Sequence, residues 1–187
     1  MAATADFRNG MVLDIDGELW TITYFQHVKP GKGGAFVRTK LKNVLSGAVV
    51  DKTYRAGEKV IDVRLERRPV TYSYTDGQLY HFMDKETYEM IPISGDLLGG
   101  DQLKYLKENM ECEGLVHDED VISVELPQFV ELTVTNTDPG FRGDTTQGGT
   151  KPATLETGAI VQVPLFVEEG DVLKVDHREN KYLTRVS

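Results

Sequence analysis

Apolar and polar residues alternate in short runs along most of this chain, and turn chemistry rather than helical periodicity separates the runs. Met11-Val12-Leu13-Asp14-Ile15 and Leu19 to Phe25 flank Asp16-Gly17, a two-residue hairpin turn. A second hairpin joins Leu19–Phe25 to Ala35–Thr39, and Lys40 to Val44 continues that strand. Ser46-Gly47 then turns into Ala48–Val50, and Val60–Leu65 alternates as a half-buried strand does. Five short strands in about 65 residues predict a small SH3-like barrel. Val70–Tyr74, the Asp76-Gly77 turn and Leu79–Met83 open a second β unit, which Val121–Leu126 closes. Its one helix is expected over Asp101–Asn109, with Leu103, Leu106 and Met110 on one face and Asp101 as cap. Pro127 marks the next boundary. Phe129–Val134, Ile160–Phe166 and Val172–Val175 alternate in a third unit, with Gly170-Asp171 turning between the last two. Units of about 60 residues with five strands and at most one helix fit OB-type barrels. The pattern therefore predicts an all-β chain of three small barrels, over residues 1–65, 66–127 and 128–187. Cores this thin require each unit to lean on its neighbours.

The connection in the second hairpin, Lys29-Pro30-Gly31-Lys32-Gly33-Gly34, interrupts the alternation. Glycines on both sides of Lys32 leave its stem uncrowded and permit a tight reversal, while Pro30 fixes one backbone angle on the way in. The expected geometry is a hairpin whose tip carries one projecting ammonium.

Charge changes what that ammonium is for. The whole chain is acidic, at a net −9, which taken alone argues against a nucleic-acid partner. The distribution reverses the inference. Residues 1–68 carry 12 Lys/Arg against 8 Asp/Glu, and residues 69–187 carry 9 against 22. Between residues 27 and 68 there are 11 basic and 4 acidic side chains, including Arg38, Lys40 and Lys42 just past the tip. Such asymmetry points to one polyanion-facing end, the alternative being a basic surface with no partner.

A second departure from strand pattern runs from Asp138 to Ala153, with four glycines, two prolines, and the cations Arg142 and Lys151. A long loop in a compact domain is either functional or a mere connector. Its hydroxyls, backbone amides and cations suit phosphate and sugar. Catalysis finds no support: Glu168-Glu169 and Asp118-Glu119-Asp120 fall at turn positions, and no P-loop, nucleophile-elbow or dinucleotide pattern occurs. The four histidines are scattered and lack metal-ligand spacing, so no metal or cofactor is expected. Cys112, the only cysteine, excludes an intramolecular disulfide and reads as a small buried hydrophobe in a reducing compartment. No apolar stretch is long enough to cross a bilayer and the N-terminus lacks a secretory pattern, so the cytoplasm is expected.

Two motifs carry a resemblance. The tip Lys29-Pro30-Gly31-Lys32-Gly33 precedes Ala35-Phe36-Val37-Arg38, and a C-terminal run reads Lys151-x-Ala153-x4-Gly158-x2-Val161-x-Val163-Pro164-x2-Val167-x2-Gly170. Together, in this order, they are similar over the full chain to the bacterial translation elongation factor P family. The resemblance implies an L-shaped, tRNA-like monomer of one KOW-type and two OB domains. Such a factor binds the ribosome between the P and E sites, contacting rRNA of both subunits, and relieves stalls at consecutive prolines. It implies that Lys32 reaches the CCA end of the P-site peptidyl-tRNA, and that Lys32 is the position a lysine-modifying enzyme extends in many members. The third-domain loop, Gly143-Asp144 through Lys151-Pro152-Ala153 with Thr150 inside it, would lie near the small subunit and the E-site codon, and Tyr182 and Arg185 near the P-site anticodon stem. Some members with a second proline after the tip work unmodified; this chain has Gly34 there. The competing reading is a general single-strand RNA-binding OB protein of cold-shock type, with Tyr72, Tyr74 and Tyr80 either as its stacking platform or as core.

Overall fold

The structure is a computed structural model that describes residues 1–140 and 148–187. Strands dominate. The first six are β1 (Ala2–Ala3), β2 (Val12–Ile15), β3 (Glu18–Val28), β4 (Phe36–Asn43), β5 (Val49–Arg55) and β6 (Lys59–Val63), in a sheet ordered β1-β6-β2-β3-β4-β5. Next come β7 (Glu66–Thr75), β8 (Leu79–Asp84), β9 (Met90–Ser94), the short helices α1 (Gly95–Leu98) and α2 (Gly100–Leu103), β10 (Glu111–His117) and β11 (Asp120–Glu125). Their sheet runs β11-β10-β7-β8-β9. The last five are β12 (Phe129–Thr137), β13 (Thr150–Leu155), β14 (Ile160–Pro164), β15 (Val172–Asp176) and β16 (Lys181–Arg185), ordered β14-β13-β12-β15-β16. The chain forms two compact units, residues 1–68 with 114–124, and residues 69–113 with 125–187.

Each sheet is built on one long strand that carries a bulge. The pairing register shifts between Ile22 and Tyr24 in β3, between Tyr72 and Tyr74 in β7, and between Val134 and Asn136 in β12. An extra residue bends a strand and increases its twist, which curls a short sheet toward a barrel. In the first unit the concave side buries Phe7, Leu13, Ile22, Val37, Leu41 and Tyr54, with Trp20 and Phe25 packed against them. Asp16-Gly17 makes the first hairpin as expected, with positive φ at both residues (55° and 86°) and Gly17 N–H donating to Asp14 Oδ1 at 2.8 Å.

The β10–β11 turn uses the same left-handed pair of angles without a glycine, at Asp118 (φ 49°) and Glu119 (φ 72°). A side chain there opposes the backbone by about 1 kcal/mol. Glu119→Gly is therefore expected to raise stability by up to roughly 0.5 kcal/mol, because the looser unfolded chain takes back part of the gain, a change checked by thermal and urea melts.

The second unit differs from expectation in its helix. No helix spans Asp101–Asn109. Gly99 takes φ 81° and separates α1 from α2, and Asp101 lies inside α2 rather than capping it. The remainder is captured by a strand: Asn109 N–H donates to Tyr72 O at 2.9 Å and Tyr72 N–H to Met110 O at 3.0 Å. Tertiary pairing outweighed a marginal local helix. Tyr105 and Leu106 are still buried, as the helical spacing implied for Leu106. Lys107 Nζ and Thr133 N–H meet at Glu156 Oε1, both at 2.9 Å, and Thr157 Oγ1 donates to Lys104 O. These bonds join the α2 region to β12 and β13, the mutual support that thin cores need.

Burial within this unit also sets a pH dependence. His177 is buried, its Nε2 has no hydrogen-bond partner among the described residues, and burial first, then Arg178, pushes its pKa below the ordinary value. The folded state thus holds a neutral ring that the unfolded chain protonates near pH 6.5. Stability contributed this way is complete above that pH and is lost as the pH falls. The melting temperature should drop between pH 7 and pH 5, and His177→Gln should flatten that drop.

Candidate nucleic-acid interface

The tip hairpin is β3–β4. Its ladder runs from Trp20↔Asn43 to Val28↔Phe36, and the seven residues between Val28 and Phe36 form the tip. Lys29, Pro30, Gly31, Lys32, Gly33 and Gly34 are all exposed. A Cβ added at Gly31 or Gly34 would meet nothing within 4 Å, and Gly33 takes φ 105°, an angle that L side chains avoid. Among the described residues Lys32 makes no hydrogen bond or ion pair. The ammonium projects from an unobstructed loop on a stiff, eleven-residue strand.

Strand β4 supplies the rest of this surface. Val37, Thr39, Leu41 and Asn43 point inward, which turns Arg38, Lys40 and Lys42 to solvent in one row, about 7 Å apart. The inward polar groups are satisfied. Thr39 Oγ1 donates to Lys52 O at 2.8 Å, and Asn43 Oδ1 accepts from the amides of Leu45 and Ser46 at 3.0 and 2.9 Å. Arg38 lies over the Phe36 ring at 5.5 Å, and Asp51 is the one acid opposite the row, across from Lys40. Tyr24, paired with Lys40 and 49% exposed, adds an aromatic face to the cations. Sequence reasoning missed it because the bulge after Ile22 reverses which residues of β3 face out.

The other expected residues lie on the third sheet. Thr150 is exposed at the start of β13, and Tyr182 is half-buried on β16 opposite Val175. Arg185 Nη1 donates to Asp171 Oδ2 at 3.3 Å while its guanidinium covers Phe166 at 5.3 Å. The Glu168 amide, then Arg185, hold the Asp171 carboxyl below its usual range. Lys151 differs most from expectation. The segment read as loop becomes strand from Thr150, and Lys151 points inward with Ala153 and Leu155, its Nζ donating to Asp138 O at 2.5 Å. Arg142, Gly143 and Asp144 lie outside the described residues.

Tyr72 is buried against Phe82 and Tyr80, and only Tyr74 of that cluster is exposed, stacked on His81 at 4.5 Å. A three-ring platform of the cold-shock kind is therefore not formed by these tyrosines. Burial pushes the Cys112 thiol up to about 12, which leaves it inert. Among the described residues no group of three His, Cys, Asp or Glu side chains is placed to hold a metal, and no helix is long and apolar enough to cross a membrane.

A chain of three β-sheets presenting a cationic hairpin belongs to the all-β class with a candidate nucleic-acid interface. Residues 3–60 match the elongation factor P KOW-like domain, residues 65–124 its OB domain and residues 130–185 its C-terminal domain. Elongation factor P of Rhodococcus erythropolis is 59% identical over 187 residues, covering all of both chains. That of Mycobacterium marinum is 57% identical over 187 residues, and that of a Thermoanaerobacter species 54% over 186, each covering all of both chains. A translation initiation factor 5A family protein from Naegleria fowleri shares the fold at a TM-score of 0.50 and 11% identity, over 67% of this chain and 96% of that one. The chain belongs to the elongation factor P family and is a translation elongation factor.

Proposed function

We propose that this factor binds the ribosome between the P and E sites and speeds peptide-bond formation at consecutive prolines without chemistry of its own. The observation that carries this reading is the placement of Lys32 on an unobstructed tip continuous with the outward row Arg38, Lys40 and Lys42. Cations in a row on a sheet neutralise RNA phosphates, and a free ammonium beyond them reaches where no sheet can. Proline is a poor, rigid nucleophile, so the slow step is alignment. Holding the CCA end of the peptidyl-tRNA in an attack-ready geometry is worth several kcal/mol in favourable cases. The factor acts in the cytoplasm as a monomer, with domains over 1–65, 66–127 and 128–187. Its first domain meets the large-subunit side, and its third meets the small subunit and the E-site codon. Lys32, exposed at the tip, is also accessible to an enzyme that extends lysine. The test is translation in an extract depleted of its own factor. Adding this protein should accelerate a Pro-Pro-Pro template and leave a proline-free template unchanged. Equal rates on both templates, with and without the protein, would refute the proposal.

A further inference from the structure

Lys151 has the charge of an RNA contact and the position of a core residue. It alternates inward on β13 with Ala153 and Leu155, and it is 7% exposed. Lysine is almost never this buried without a partner. Its partner is a backbone carbonyl, Asp138 O, on the residue directly after β12. The bond therefore crosses the mouth of the β12–β13 hairpin, above the last registered pair Thr137↔Ala153.

Two further features hold the same neck. Pro152 has no N–H to give, and Thr137 Oγ1 donates to its carbonyl at 2.9 Å. Gly140 packs so closely that an added Cβ would come within 2.4 Å of Leu165 O, a distance no side chain tolerates. The charge of Lys151 also acts inward, contributing to the depressed pKa of Asp171, the carboxylate that engages Arg185. Turning the ammonium out to a phosphate would strand a carbonyl already satisfied and withdraw a packed stem.

We propose that Lys151 is a positioning residue that clamps the neck of the β12–β13 connection, and that it does not itself contact RNA phosphate. The inference rests on the ribosome-binding reading above for its functional arm only. The experiment uses the full chain as wild type, Lys151→Met and Gly140→Ala. Gly140→Ala disturbs the neck without changing charge. Amide hydrogen exchange at Thr137 and Ala153 should rise about ten-fold in both variants, with Leu132 and Leu173 unchanged. Ribosome affinity should fall in both, while the slope of log affinity against log salt stays that of wild type. A slope shallower by about 0.7–0.9 in Lys151→Met, with Gly140→Ala binding like wild type, would mean a direct phosphate contact and overturn the proposal. Unchanged exchange at the neck in Lys151→Met would overturn it too, even if the wild-type protein failed to bind ribosomes. That last failure would count against the proposed function, and the exchange result would still decide the clamp.

Discussion

Lys32→Ala is expected to remove most of the acceleration on a Pro-Pro-Pro template, by about ten-fold or more, while ribosome binding changes by less than about three-fold. The asymmetry follows from where the side chain is. Lys32 is exposed and makes no hydrogen bond or ion pair among the described residues, so its loss leaves the fold intact. Substitutions of that kind usually shift stability by less than about 0.5 kcal/mol. One ammonium among many cations supplies only a small part of the electrostatic affinity. A group that acts by alignment, however, is used only when the reacting ends must be brought into line, and its removal is felt in the rate. Gly33→Ala offers a companion without a charge change. At φ 105° it strains the tip and should lower the rate in the same direction by redirecting the lysine stem. If Lys32→Ala rescued the template as well as wild type, the tip would be idle and the positioning mechanism wrong. Intact mass of protein from its native host separates plain from extended lysine, and the mass of the tip peptide places the addition at Lys32.

How much of this was legible in the sequence depends on which force set each element. Asp16-Gly17 and the alternation of Phe36–Asn43 are local properties, and both the turn and the outward cationic row could be read directly. The tip was legible because glycine and proline act through their own backbone angles. Elements decided by distant partners were not. The Asp101–Asn109 segment had helical spacing, but Tyr72 took its C-terminal end into strand pairing. Strand β9 was hidden by Pro92, which an edge strand accepts and a central one does not. Tyr24 was hidden by a bulge, whose single extra residue reverses the inward and outward assignments beyond it. Lys151 shows the deeper limit. Its charge in a glycine-rich, polar segment suggested a surface cation, whereas period-two placement with Ala153 and Leu155 buries it. Composition describes the loop, but register decides the side chain. Part of the family signature is likewise structural: Ala153, Val161, Val163 and Val167 are all buried, so these positions report the core of the third sheet more than a contact.

Neutralising the row itself, Arg38→Gln with Lys40→Gln and Lys42→Gln, should weaken ribosome association by on the order of a hundred-fold near physiological salt. All three side chains are exposed and alternate with the buried Val37, Thr39 and Leu41, so the β4 ladder and the first core keep their contacts. Far-UV circular dichroism and the melting temperature should stay close to wild type, which separates lost binding from lost structure. The salt dependence carries the mechanism. Each phosphate neutralised by a cation contributes about 0.7–0.9 to the slope of log affinity against log salt. Removing three contacts should therefore flatten that slope by about 2–3, whereas Lys32→Ala should flatten it by no more than about 1. Asp51 gives the opposite control. It stands across from Lys40 and opposes the row, so Asp51→Asn should tighten binding modestly and steepen the slope. If the triple variant bound with wild-type slope, the row Arg38, Lys40 and Lys42 would be an unpartnered basic surface. The affinity would then have to come from the other eight basic residues between 27 and 68, because residues 69–187, at a net −13, work against every phosphate they meet.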